Sequence, residues 1–257
     1  MSLIINPYTF AAVEPFDPLS IAGLSFWVDA DDAGTIVQSG GTISWWADKS
    51  GNSKNATQTT PAYRPSYAAS KIGGKPSVYF PVPYVNDHWF DVPGLNAGSN
   101  ITCFFVVNPE YAETGLFNTC GFGFPSTLPN RLVMTGGWWK WHSALFPSGT
   151  DPLWNPGFPG AADSVASFWT YLNQAAGLRQ IRNYVNGVPG LLTGRGGHPA
   201  FSVPGIDWAN PTIGTYGGVG GGTYKGWLGE ILIYNNILSD IDRQSVENYL
   251  MSKWGIA

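Results

Sequence analysis

The chain has 257 residues, enough for one large all-β domain or two small ones. Hydrophobic residues make up 44% and charged residues only 12%, roughly half the usual charged share, so a sizeable core is available under a nearly neutral surface. The formal net charge is −4, with no cluster of Lys or Arg and no apolar run of membrane-spanning length, which excludes nucleic acid and a helical membrane span from the expected partners.

Residues 1–20 read as a segment of their own. Pro7, Pro15 and Pro18 keep it extended and forbid a continuous helix. It nevertheless carries Ile4, Ile5, Tyr8 and Phe10, apolar groups that a solvated tail does not need. The expectation is an arm that lies on its own domain or on a neighbour. Its start lacks the basic residues and long apolar core of a signal peptide.

From residue 21 onward, short apolar runs alternate with Gly, Pro, Asn and Asp. Strands are expected over 24–28, 42–46, 76–80 and 101–107. Two more, 131–134 and 138–145, are joined by Thr135, Gly136 and Gly137. The run 181–185 leads into Asn186-Gly187, a strong hairpin signal. Strands over 211–214 and 227–234 complete the set, the last apolar on both faces and so expected at the centre of a sheet. Only the C-terminus has a helical period. Ser239 with Asp242 approximates a capping box, Val246, Leu250 and Trp254 share one face, and Gly255 stops the helix. No repeat or linker interrupts 21–257. The expected architecture is all-β, a two-sheet antiparallel jelly-roll sandwich over 21–257, with an extended arm over 1–20 and a short C-terminal helix.

The stretch 138–142, WWKWH, concentrates three indoles within four residues. On a strand the side chains alternate, so Trp139 and Trp141 share one face and Trp138, Lys140 and His142 the other. An unpaired ammonium is costly to bury, so the Lys140 face is expected to be wet, with Trp138 as the ring left for a sugar or a neighbouring subunit. Trp89 and Trp154, near turn residues, are further candidate rings for a carbohydrate or a protein partner. So many rings among so few charges also point to a surface covered in an assembly, in the simplest case a homo-oligomer.

Chemistry is sparse. The five glutamates, Glu14, Glu110, Glu113, Glu230 and Glu247, are scattered, and no paired-acid motif for glycoside hydrolysis is present. Glu230, on the central strand, reads as a structural carboxylate held by backbone or by an arginine such as Arg64. No catalytic residue is assigned, and no cofactor. The three histidines, His88, His142 and His198, are too far apart for a zinc site. Asp31, Asp32 and Asp48 are weak metal candidates, because Ala33 and Gly40 break the calcium-loop pattern. Cys103 and Cys120 read as two reduced thiols, though their spacing leaves a disulfide open.

Several motifs in order carry a resemblance. They are the run 23–32 (GLSFWVDADD), then 46–52 (WADKSGN), 55–58 (NATQ), 64–67 (RPSY), 74–78 (GKPSV), 184–187 (YVNG) and 229–235 (GEILIYN) before the helix. Together the set resembles the laminin-G-like branch of the concanavalin A-like lectin/glucanase superfamily, with a proline-rich arm as in bacteriophage virion proteins. The resemblance implies a jelly roll with one concave sheet, and it leaves a calcium site near Asp31, Asp32 or Asp48 open. It further implies a non-enzymatic virion-surface protein, assembled in the host cytoplasm, decorating a capsid or serving as a fibre or adhesin. The arm would hold it to other virion proteins, with a cell-surface glycan as a further partner. The alternatives are a polysaccharide hydrolase or lyase built on Glu230 and a free-standing lectin.

Overall fold

A computed structural model describes residues 16–81, 88–96, 100–110, 119–123, 130–135, 138–143, 153–155, 162–173, 178–189, 191–192, 200–201, 211–216 and 222–257. The protein is an all-β sandwich with one C-terminal helix, Asp240–Trp254. Its strand pairs are antiparallel and fall into two runs. The first passes from Ala200–Phe201 through Leu178–Val185, Ser164–Asn173, Ile101–Pro109 and Gly226–Tyr234 to Leu24–Asp29. The second passes from Ile36–Ser39 through Thr42–Trp46, Ala56–Thr57, Phe90–Asp91, Thr212–Ile213 and Thr119–Gly123 to Asn130–Thr135. It continues through Trp138–Ser143 and Leu153–Asn155 to Leu191–Leu192. Ser66–Ala68 and Ser77–Phe80 bridge the runs, pairing with Thr42 on one side and with the start of Gly226–Tyr234 on the other.

The expected strands are all present, several of them longer than the apolar pattern suggested. Gly226–Tyr234 is central: apart from Trp227 it is buried along its length, between Leu24–Asp29 and Ile101–Pro109. The two runs meet through rings. Phe80 stands edge-on to Phe90 at 6.1 Å, and a Cβ on Gly214 would lie 2.4 Å from the Phe80 ring. Fully buried Phe80 sits on a bridging strand opposite Gly226 of the first run, while Phe90 belongs to the second and Gly214 follows its Thr212–Ile213 strand, so the contact is the sandwich core. Asn186 and Gly187 both take positive φ, 48° and 76°, between the paired Val185 and Val188, which is the two-residue hairpin that Asn-Gly favours.

The helix lies across the outer face of the first run. Ser239 caps it, accepting the Asp242 N–H at 3.1 Å, and Gly255 ends it with φ 62°. Val246, Leu250 and Trp254 are fully buried beneath it, on the face that the four-residue spacing marks. The same face also buries charge. Arg243 lies 3.7 Å over the Tyr184 ring and pairs with Glu247, which in turn accepts the Ser167 hydroxyl proton. The last residues of the segment 1–20 rest beside the helix. Phe16 meets the Tyr249 ring at 5.6 Å, and the Tyr234 hydroxyl donates to the Pro18 carbonyl. Ile4, Ile5, Tyr8 and Phe10 lie outside the described residues.

Candidate functional site

Among the described residues two polar groupings are candidates for function. One is buried under the helix, the other open on the second run.

The buried one is centred on Glu230. Asp29 and Glu230 are directly opposed across paired strands, so their side chains emerge on one face. The Lys253 ammonium, in the last turn of the helix, lies 2.7 Å from a carboxylate oxygen of each. Glu230 also accepts from the indoles of Trp27 at 2.8 Å and Trp254 at 2.7 Å, and from the Tyr249 hydroxyl at 3.3 Å. Asp29 is further held by Lys49 at 2.9 Å, which also pairs with Asp32. The partner of Glu230 is therefore a lysine with three ring donors, not Arg64. Arg64 donates instead to the carbonyls of Gln58 and Thr59, on the other run. Lys253 escapes sequence reasoning because a basic residue in the last helical turn is already explained by the helix dipole.

Burial pushes the Glu230 carboxyl above the usual range, and the Asp29 charge adds to this. The Lys253 ammonium and the Trp254 hydrogen bond only partly offset it. Burial opposes the Lys253 charge, but the two carboxylates outweigh it and raise that group. The pH dependence of Lys253→Met follows. Without the ammonium, Glu230 keeps a raised folded pKa, so its stability contribution is present below the unfolded carboxylate range and lost as pH rises. The variant should lose about 3–5 kcal/mol at neutral pH, the cost of stranding a buried carboxylate. Its melting temperature should climb as pH falls from 7 to 5, and a flat or falling profile would contradict this.

The other aspartates named as metal candidates are already engaged. Asp31 pairs with Lys75 at 2.7 Å, and Asp32 with Lys49 at 2.9 Å, whose hydrogen bond lowers the Asp32 carboxyl. Asp48 accepts the backbone N–H groups of Trp27, Ser50 and Lys54, each at 2.9 Å, and so organises its own loop. A calcium ion would have to displace these donors. Among the described residues no three His, Cys, Asp or Glu side chains gather where they could hold a metal ion. Cys103 is a buried free thiol, its pKa pushed well up by burial.

The open site begins with a bulge. Val37 pairs with Trp45, but the next residue, Gln38, pairs with Ile43, which leaves Ser44 extra. The bulge lets both Ile43 and Trp46 point into the core while Trp45 turns outward, 41% exposed. Trp45 then lies beside Val37, 57% exposed, in a shallow cleft of ≈ 510 Å³ lined also by Ser44, Thr57, Gln58, Thr59 and Arg64. The two hydrogen bonds from Arg64 hold the 58–64 loop that forms one wall.

The cleft and the WWKWH stretch belong to the same sheet, and the ladder relates them. One register row runs Val37, Trp45, Thr57, Asp91, Thr212 and Gly123. The alternate row runs Phe90, Ile213, Phe122, Leu132 and Trp141, with Trp139 two residues away opposite Met134. Phe90 and Ile213 are core residues. Trp138–Ser143 pairs in register with Asn130–Thr135; the side chains of Trp138, Lys140 and His142 lie outside what is described. Trp154 is paired opposite Trp139 in the backbone register, and its side chain also lies outside what is described. Trp89 is only 9% exposed, stacked on Tyr63 at 4.6 Å and donating to Asp91, which leaves little of its ring for a ligand. The residue that sequence reasoning passed over is Trp45, read there as one more strand residue.

These features define an all-β sandwich with an aromatic cleft on one sheet and a charged latch on the other. No protein-family model matches the chain, and no curated protein does. Among solved structures it is similar to the Botulinum neurotoxin serotype D binding domain, with TM-score 0.54 and 12% identity over 89% of this chain and 51% of that one. It is also similar to a Trypanosoma rangeli sialidase, with TM-score 0.50 and 13% identity over 93% of this chain and 36% of that one. A third match is domain 4 of a GH43 extracellular arabinanase from Geobacillus stearothermophilus, solved with arabinotriose. It has TM-score 0.47 and 15% identity over 88% and 98% of the two chains. The chain thus spans about a third of the sialidase and about half of the neurotoxin domain. At these identities the likeness is one of fold.

Proposed function

We propose that the protein is a non-enzymatic glycan-binding β-sandwich whose binding surface is the Trp45 face of the second run. The carrying observation is the bulge at Ser44, which spends backbone regularity to expose an indole beside a cleft edged with hydroxyl, amide and guanidinium groups. A half-exposed indole offers a flat apolar platform for the C–H face of a pyranose, and the polar rim can fix its orientation. The strand alternation read from the sequence groups Trp138, Lys140 and His142 on one face, which this reading adds to the binding surface. Support for a non-enzymatic reading comes from Glu230, which is fully buried and spent on four donors, so a substrate has no path to it. The finer placement rests on the resemblance of the motif set: a bacteriophage particle surface, with residues 1–20 reaching neighbouring virion proteins and copies of the chain associating.

The test is binding of the wild-type protein and Trp45→Ala to an array of bacterial surface polysaccharides. Removing one stacking ring should weaken binding at least tenfold, while the melting temperature changes little because Trp45 is a surface residue. Binding that survives Trp45→Ala unchanged would move the surface elsewhere, and turnover of any bound glycan would end the non-enzymatic reading.

A further inference from the structure

The cluster beneath the helix holds more than an ion pair requires. Asp29 is 3% exposed and Glu230 0%, and one lysine reaches both. Trp27, Trp254 and Tyr249 enclose them and donate to the Glu230 carboxylate. Buried ion pairs rarely outperform well-packed apolar groups, so pairing alone is a weak reason for this arrangement. The three groups are, however, the parts of an amide-forming reaction: an amine, a carboxyl to receive it, and a second carboxyl to move protons.

We propose that Lys253 and Asp29 condense without an added enzyme to an Nζ–Cγ amide, covalently fixing the C-terminal helix to the first strand, with Glu230 as the proton carrier. One ammonium proton passes from Lys253 to Glu230 through their 2.7 Å hydrogen bond, and from Glu230 to an oxygen of Asp29, its directly opposed cross-strand neighbour. The free amine attacks Cγ of Asp29, and the C–N bond forms. Charge on the retained oxygen is met by the backbone N–H of Asp31, 3.1 Å from Oδ1, and the Lys49 ammonium stands 2.9 Å from Oδ2, the departing oxygen. A second nitrogen proton then returns by way of Glu230 to that oxygen, the C–O bond breaks and water leaves. An ammonium and a carboxylate have become an amide and one water. Glu230 ends as it began, and no oxidant or co-reactant is consumed.

One feature favours the step. The folded chain holds the reactants in contact, a situation in which effective molarities reach about 10⁵–10⁸ M. Lys49 does not compete as nucleophile, because it is divided between Asp29 and the more exposed Asp32.

The experiment is intact-mass spectrometry of the full chain after purification. The wild-type protein should be lighter than its sequence mass by one water, and a protease digest should contain a branched peptide joining the segments around Asp29 and Lys253. Lys253→Arg, which keeps a cation but not an amine, should show the full mass. Glu230→Gln should also stay at full mass while giving a wild-type circular dichroism spectrum. A wild-type protein that remains at its sequence mass after prolonged incubation overturns the proposal, whatever the variants do. So does a lost water that persists in Lys253→Arg, because the loss then lies elsewhere. A crosslink that forms normally in a folded Glu230→Gln overturns the role given to Glu230.

Discussion

Trp254→Ala should destabilise the protein by the upper end of about 3–5 kcal/mol, the range for truncating a large buried ring. The residue is fully buried, its ring lies against Gly229, where a Cβ would come within 2.8 Å, and its indole donates to Glu230 at 2.7 Å. The substitution opens a void between the helix and the central strand and removes a donor from a buried carboxylate. Few proteins hold more than about 5–15 kcal/mol in reserve, so this one change should take a third or more of it. Urea denaturation read by tryptophan-independent circular dichroism measures the loss. Ile241→Ala, on the same helix but 76% exposed, should stay within about 0.5 kcal/mol of wild type. Equal effects at the two positions would mean that the helix is not the latch described.

Gly73→Ala should cost about 2–5 kcal/mol, summing a strained backbone and an overpacked contact. Gly73 has φ 55°, and a Cβ there would fall 1.8 Å from the carbonyl oxygen of Trp254. The obstacle is backbone, so no rotamer change relieves it. Its N–H donates to Asp163 at 2.9 Å, which ties the turn to the first run and resists a shift. Gly74→Ala is the control: its φ is also positive, 74°, but nothing lies within 4 Å of the added carbon. The difference between the two melting temperatures isolates the collision with the helix end. If both variants melt alike, the close approach of Ile72–Gly74 to Trp254 does not contribute.

Much of this fold is written in local pattern. The strands from Leu24–Asp29 to Gly226–Tyr234, the Asn186-Gly187 hairpin, and the helix face of Val246, Leu250 and Trp254 follow from periods of two and 3.6 residues and from the backbone freedom of particular turn residues. Each needs only neighbours within a few positions, which a sequence displays directly. The alternation within 138–142 is legible for the same reason. Which of its rows meets the core is not, because that depends on the ladder from Phe90 through Ile213 to Phe122, whose paired residues lie 123 and 91 positions apart in the chain.

Tertiary structure decided the rest. Asp29, Glu230 and Lys253 come from the first strand, the last strand and the helix, and only strand order brings both carboxylates to 2.7 Å from the Lys253 ammonium. Nothing local distinguishes Lys253 from a lysine that merely complements a helix dipole, or Arg64 from a partner for Glu230. Trp45 carries the same lesson. It sits beside Trp46 in a run whose apolar pattern admits both rings to the core, and the extra residue that turns one of them out is visible only against its partner strand. Sequence by itself determined which segments are strands and which is a helix, because those states answer to the chain's own geometry. The burial of a charge and the exposure of a ring answer to what packs against them, and that was settled by the assembled sandwich.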